Sequence, residues 1–164
     1  MKKLVIIISW ILVIIWMGFI YYLSDMSGKE STYKSEKTIN IAITKTIEAT
    51  NEVGITNKNP ESKKIDEISN LLDYPLRKCM HASVYFILTL LLINALSKSN
   101  VKGKKIFYLS FIISILYACS DEYHQSFTNR TSSILDVFID SIGAFIAIYL
   151  IIFFIKIKDK KRKI

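Results

Sequence analysis

The run LVIIISWILVIIWMGFIYYL, residues 4–23, decides the fold. It holds twenty uncharged residues, nearly all apolar, and Lys2 and Lys3 stand directly before it. About twenty such residues in a helix cross a hydrocarbon core roughly 30 Å thick. A signal peptide would carry a shorter apolar region and a small-residue cleavage site. No A-x-A pattern follows Leu23, so the run is read as a retained anchor.

Three more apolar blocks follow: Met80 to Leu96, Ile106 to Cys119 and Ile134 to Ile155. The block from Ile106 to Cys119 has only fourteen residues, and crossing draws in Ser120 and its polar neighbours. The spans are therefore set at about 4–23, 80–97, 106–121 and 134–155. The expectation is a single all-α domain over residues 1–164, a polytopic membrane protein built as a bundle of four transmembrane helices. A long outward loop, 24–79, carries short amphipathic helices.

Charge gives an orientation. The chain is 51% hydrophobic yet carries a formal net charge of +8. Its charges come in blocks beside the apolar runs, which fits membrane-flanking Lys and Arg better than a nucleic-acid groove. Lys2 and Lys3, then Lys98, Lys102, Lys104 and Lys105, then the tail from Lys156 to Lys163 place twelve of the 22 basic residues on one side. The positive-inside rule makes that side cytoplasmic, with both termini inside. Loop 24–79 balances nine basic against nine acidic residues and faces outward, as does 120–133.

Within the long loop, Ile39, Ile43 and Ile47 recur every four residues, and Ile65, Ile68, Leu71 and Leu72 keep helical spacing. These predict two short amphipathic helices, separated by Gly54 and the NKNP run at 57–60. Residues 24–37 read as a mobile polar loop, and Asp73-Tyr74-Pro75 as the end of the second helix. Cys79 and Cys119 lack any ligand spacing and read as two small buried hydrophobes. The topology puts both near one membrane face, so the sequence leaves a disulfide between them open.

The stretch CSDEYHQSFTNRTSSILDVFID, residues 119–140, places ionisable groups beside and inside apolar segments. Arg77, Lys78 and His81 stand at the outward entrance of the second span, and Asp121, Glu122, His124 and Gln125 at the outward exit of the third. Arg130 lies in the connecting loop. Asp136 and Asp140, one turn apart, open the fourth. Charged side chains in a span are costly and normally turn toward the bundle interior. His81 and Tyr85 share a face with Arg77, and Gly143 and Ala144 permit close helix approach. These ten residues form the candidate functional cluster.

At SDMS (24–27), RKCMHASVYFIL (77–88) and DEYHQSFTNRTSSILDVFIDSIGA (121–144), the chain resembles the VanZ-like membrane proteins. The family pattern has an Arg-Lys and a His before an aromatic-rich second helix. An Asp-Glu, a Gln, an Arg, and an Asp with a Gly seven residues on complete it. Here those are Arg77, Lys78, His81, Asp121, Glu122, Gln125, Arg130, Asp136 and Gly143. Asp140 departs from it, since the family often has Asn or a small polar residue there, and the long loop exceeds the family length. The resemblance implies a four-helix membrane protein linked to low-level resistance to teicoplanin.

Three readings stay open. A binding or protective protein would engage a lipid-linked cell-wall precursor, a lipid headgroup or a lipoglycopeptide at the outer leaflet. Arg77, Lys78 and Arg130 would then meet anionic oxygens, while Glu122, Asp136 and Gln125 orient polar or amine groups. An enzyme would use His81, Glu122 and His124 as general acid and base; a divalent ion on Asp121, Glu122, Asp136 and Asp140 is its metal-assisted variant. A structural cluster would only fix helix order. No cofactor is evident in the motifs. The Lys/Ile-rich composition suits a low-GC bacterium, whose plasma membrane is the expected location.

Overall fold

The computed structural model describes residues 2–25, 28–52, 62–127 and 133–162, and every regular element among them is helical. In chain order they are α1 (Lys2–Asp25), α2 (Gly28–Glu52), α3 (Ser62–Lys98), α4 (Lys105–Gln125) and α5 (Ile134–Lys161). Four stretches are long and apolar enough to cross a membrane: α1, Leu71–Lys98 of α3, α4 and α5. The chain is a multi-pass helical membrane protein. It forms two compact units, one from residues 1–25 and 80–164 and one from 26–79.

The first unit buries polar side chains among its core and exposes large apolar ones. Ser9, Thr89, Ser110, Ser114, Asp121, Glu122, Gln125 and Asp140 are buried, while Ile14, Ile15, Leu116, Phe138, Phe145 and Phe154 are exposed. In water so large an apolar surface would drive aggregation. In lipid it is the matched solvent, and small or hydrogen-bonding residues belong at helix contacts. Val13, Ile20, Tyr85, Leu88, Leu92, Ala95 and Ala118 form the interior, with Trp10, Trp16, Met17 and Tyr117 packed against it.

Side-chain hydrogen bonds tie the helices together. Trp10 Nε1 donates to Ser99 Oγ at 3.0 Å, and Trp16 Nε1 donates to the Val84 carbonyl at 2.9 Å. Asn94 Nδ2 donates to Ser9 Oγ at 3.3 Å, and the Tyr117 hydroxyl donates to the Met17 carbonyl at 2.6 Å. The Thr89 and Ser114 hydroxyls lie 2.8 Å apart in the interior. Ser110 and Ser141 bond back to carbonyls four residues earlier. A donor left over in hydrocarbon would cost several kcal/mol, on the order of an unmade hydrogen bond, so these bonds are needed.

Local chemistry sets the helix ends. Between α3 and α4, Asn100 (φ 63°) and Gly103 (φ 66°) take the left-handed conformation that reverses the chain. Ser133 caps α5, its hydroxyl accepting from the Leu135 N–H at 3.2 Å. α4 runs to Gln125, four residues past the expected limit of the third span, because Asp121, Glu122 and Gln125 turn inward and do not force it out of the bundle.

In the second unit, the predicted loop at 24–37 is corrected. α1 reaches Asp25 and α2 starts at Gly28, since nothing from 28 to 37 breaks a helix. α2 is 25 residues long rather than short. Ile39 is buried and Ile43 and Ile47 are half-buried, as their spacing predicts. The expected stop at Pro75 is also corrected: α3 continues through it from Ser62 to Lys98. Proline removes one backbone bond and crowds one turn, and the apolar turns that follow keep the helix going. Ile68, Leu71 and Leu72 are exposed. The break at Gly54 and 57–60 lies outside the described residues. Cys79 and Cys119 are not joined in a disulfide and are exposed, not buried; Cys119 sits on the α4 face opposite Asp121 and Gln125.

Candidate functional site

In the first unit, one stripe on each of three helices faces inward. On α3 it is His81, Tyr85 and Thr89; on α4, Ser110, Ser114, Ala118, Asp121, Glu122 and Gln125; on α5, Asp140, Gly143, Ala144 and Ala147. The 3–4 residue spacing of each stripe gives one helical face. Gly143 lies directly on the Ala82 backbone, and a Cβ there would collide with the Ala82 carbonyl. This contact draws α5 onto α3 and sets Asp140 at the level of His81.

There His81 Nδ1 stands 3.8 Å from Asp140 Oδ1. Asp140 is 2% exposed and Asp121 5%, both deep for carboxylates. Gln125 Nε2 donates to Asp121 Oδ2 at 2.9 Å along α4. The fully buried Tyr85 hydroxyl meets the Asp121 carboxylate and lies within electrostatic reach of Asp140 and Tyr117. The Tyr85 and Tyr117 ring centroids are 6.4 Å apart. The Tyr85 hydroxyl is directed as a donor to the Asp121 carboxylate, in a contact looser than the Gln125 one.

Glu122, 7% exposed, accepts a hydrogen bond from the Ser133 N–H. A carboxylate at a helix start is favourable because the first N–H groups lack helical partners and the dipole is positive there. Asp136 follows in the first turn of α5, half-buried. His124 points toward α1 instead. Its ring stacks on Tyr21 at 4.4 Å, and Nε2 lies 3.6 Å from Asp25 Oδ1.

Of the expected cluster, the first unit gathers His81, Asp121, Glu122, Gln125 and Asp140 at one end of its helices, with Asp136 close along the chain. His124 belongs to a separate contact with Tyr21 and Asp25. Arg77 and Lys78 belong to the other unit, where Arg77 Nε pairs with Asp73 Oδ2 at 3.2 Å and Lys78 Nζ sits 5.1 Å from the Tyr74 ring centre. Arg130 lies outside the described residues. Tyr85 and Tyr117 are the members that charge-based reading passes over, although Tyr85 follows His81 and Tyr117 precedes Asp121 by one turn. The metal variant meets an obstacle: among the described residues no three His, Cys, Asp or Glu side chains are arranged to hold an ion. What remains is acceptor-rich, with buried carboxylates, a tyrosine hydroxyl and one imidazole.

Neither a curated protein nor a solved structure matches the chain. The VanZ/LLP1 family model matches residues 9–155, from the first helix through the last span, and so takes in every element of this site. The chain belongs to the VanZ/LLP1 family.

Proposed function

We propose that this protein sits in a bacterial plasma membrane with both termini in the cytoplasm and binds a polar headgroup at the outer leaflet, lowering susceptibility to teicoplanin or a related cell-envelope stress. The observation that carries this is an asymmetry between helix ends. His81, Tyr85, Asp121, Glu122 and Asp140 sit inside the bundle at one end, while the lysines of residues 98–105 and 156–161 flank the other. Lysine-flanked ends stay cytoplasmic, which leaves the polar cluster facing the cell exterior. Buried ionisable groups in a span mark binding or transfer sites far more often than packing. The headgroup of a lipid-linked cell-wall precursor or of a lipoglycopeptide suits such a site.

A Ser126→Cys protein lacking Cys79 and Cys119 tests the orientation: a membrane-impermeant maleimide added to intact cells is expected to label it. Labelling only after the cytosol is opened would overturn the reading. Glu122→Gln tests the role, because the amide oxygen still accepts from Ser133 while the charge is gone. Cells holding normal amounts of this variant should become more susceptible to teicoplanin; unchanged susceptibility counts against the proposal.

The enzyme reading draws on one observation, the His81–Asp140 pair, in which an imidazole nitrogen stands 3.8 Å from a carboxylate that would orient it as a general base if the contact tightened. Incubating purified protein with lipid-linked precursor tests it, and turnover that disappears in His81→Gln is the outcome it needs.

A further inference from the structure

α4 packs more closely on α5 than on α1, so side-chain ties hold the seam between α1 and α4. Two of them lie near the end of α1. The Tyr117 hydroxyl donates to the Met17 carbonyl at 2.6 Å, a neutral bond. One turn further along α1, the His124 ring stacks on Tyr21 with centroids 4.4 Å apart, and Nε2 stands 3.6 Å from Asp25 Oδ1. That distance exceeds a hydrogen bond, and Nε2 is buried with no hydrogen-bond partner. The second tie is aligned but not closed.

We infer that His124 is a pH-sensitive latch: as imidazolium it clasps Tyr21 and Asp25 and holds the last turn of α1 on α4, and as neutral imidazole it releases that turn. A neutral imidazole has a single N–H, whereas the imidazolium has one on each nitrogen. Protonation gives Nε2 a proton to donate to Asp25 Oδ1, in a charge-assisted bond of about 2.8 Å. It also sets a cation over the Tyr21 ring, within the roughly 6 Å at which a π-face attracts one.

The ionisable groups beside His124 are all acids or phenols. From α1 it meets Tyr21 and Asp25. On α4, Asp121 and Glu122 lie within one turn, Asp121 held by Gln125 and Glu122 by the Ser133 N–H. Among the described residues, α3 and α5 make no ionic or ring contact with it. Docking of the last turn of α1 therefore strengthens as the pH falls, and the gain is lost as the pH rises through the histidine range of about 5–8. Asp25 is 64% exposed, so water screens the pair and the latch is weak enough to open. The neutral Tyr117–Met17 tie keeps the rest of α1 in place and confines the release to residues 21–25. The chain leaves the first unit at Asp25, so the latch sets how firmly that exit is held. The inference stands apart from headgroup binding, and in the orientation proposed above the latch meets the external medium.

A nitroxide on Tyr22→Cys in the full-length protein in micelles, with Cys79 and Cys119 replaced by Ser, tests the inference through its electron paramagnetic resonance line shape. Tyr22 is exposed and adjoins Tyr21. The ratio of immobile to mobile label is expected to be about threefold higher at about pH 5 than at about pH 8, the scale of one exposed ion pair. A label on Ile15→Cys, on the exposed face of α1 beyond the Tyr117–Met17 tie, should not respond. His124→Gln and Asp25→Asn should each flatten the response at Tyr22. A wild-type ratio that does not change with pH overturns the inference. So does a response that survives in either variant or appears equally at Ile15. Nothing in this measurement depends on a headgroup or on orientation, so its failure leaves the proposed function standing.

Discussion

The two ends of the first unit solve the burial of polar groups differently. At the lysine end, contacts are neutral: Trp10 to Ser99 and Asn94 to Ser9 between segments far apart in sequence, and the Ser99 hydroxyl bonding back along its own helix. Its charges stay exposed on the chain flanking the spans. At the other end, Asp121, Glu122 and Asp140 are taken inside, where they meet His81, Gln125, Tyr85 and the Ser133 N–H. Neutral bonds suffice to order helices in lipid, averaging about 0.6 kcal/mol each. Burial of three carboxylates therefore asks for a reason beyond holding the bundle together.

The contrast is broken most severely at Gly143. Gly143→Ala drives a methyl into the Ala82 carbonyl, and separation of α5 from α3 should cost about 1–3 kcal/mol. Reversible unfolding in mixed micelles measures it, and an unaffected stability would show that the close approach is dispensable. Glu122→Ala removes the acceptor for Ser133 and should cost about 1 kcal/mol, the scale of a lost helix cap; Glu122→Gln should recover most of it. Thr89→Val, midway between the ends, deletes the Ser114 contact and should cost about 0.6 kcal/mol by the same unfolding assay. Replacing Lys102, Lys104 and Lys105 with Ala should change stability by less than about 0.5 kcal/mol. It should nonetheless raise the share of molecules inserted the other way round, read by maleimide labelling of Ser126→Cys. A large loss of stability instead would mean the lysine end is structural too.

The four spans were legible because lipid leaves few options: apolar runs of 14 to 22 residues beside clustered lysines have one stable form. Inward placement of Asp121 and Asp140 was legible for the same reason, since charge in a span has nowhere else to go. Composition misled where local bias and helix continuity compete. Residues 28–37 are polar enough to read as loop, yet contain no residue that stops a helix after Gly28. Pro75 is a strong local breaker, and α3 runs through it. The cysteines looked buried on soluble-protein habits, but in lipid an exposed thiol is no anomaly. The sequence marks Tyr85 only as a neighbour of His81, because an uncharged side chain gives no sign that its hydroxyl will meet a buried carboxylate.

The hydrogen bond from Ser133 to Glu122 joins two jobs in a single carboxylate. That carboxylate is buried in the bundle and it holds the Ser133 N–H at the start of α5. A group that displaced that backbone N–H from Glu122 would leave the start of α5 without its acceptor and loosen the turn bearing Asp136.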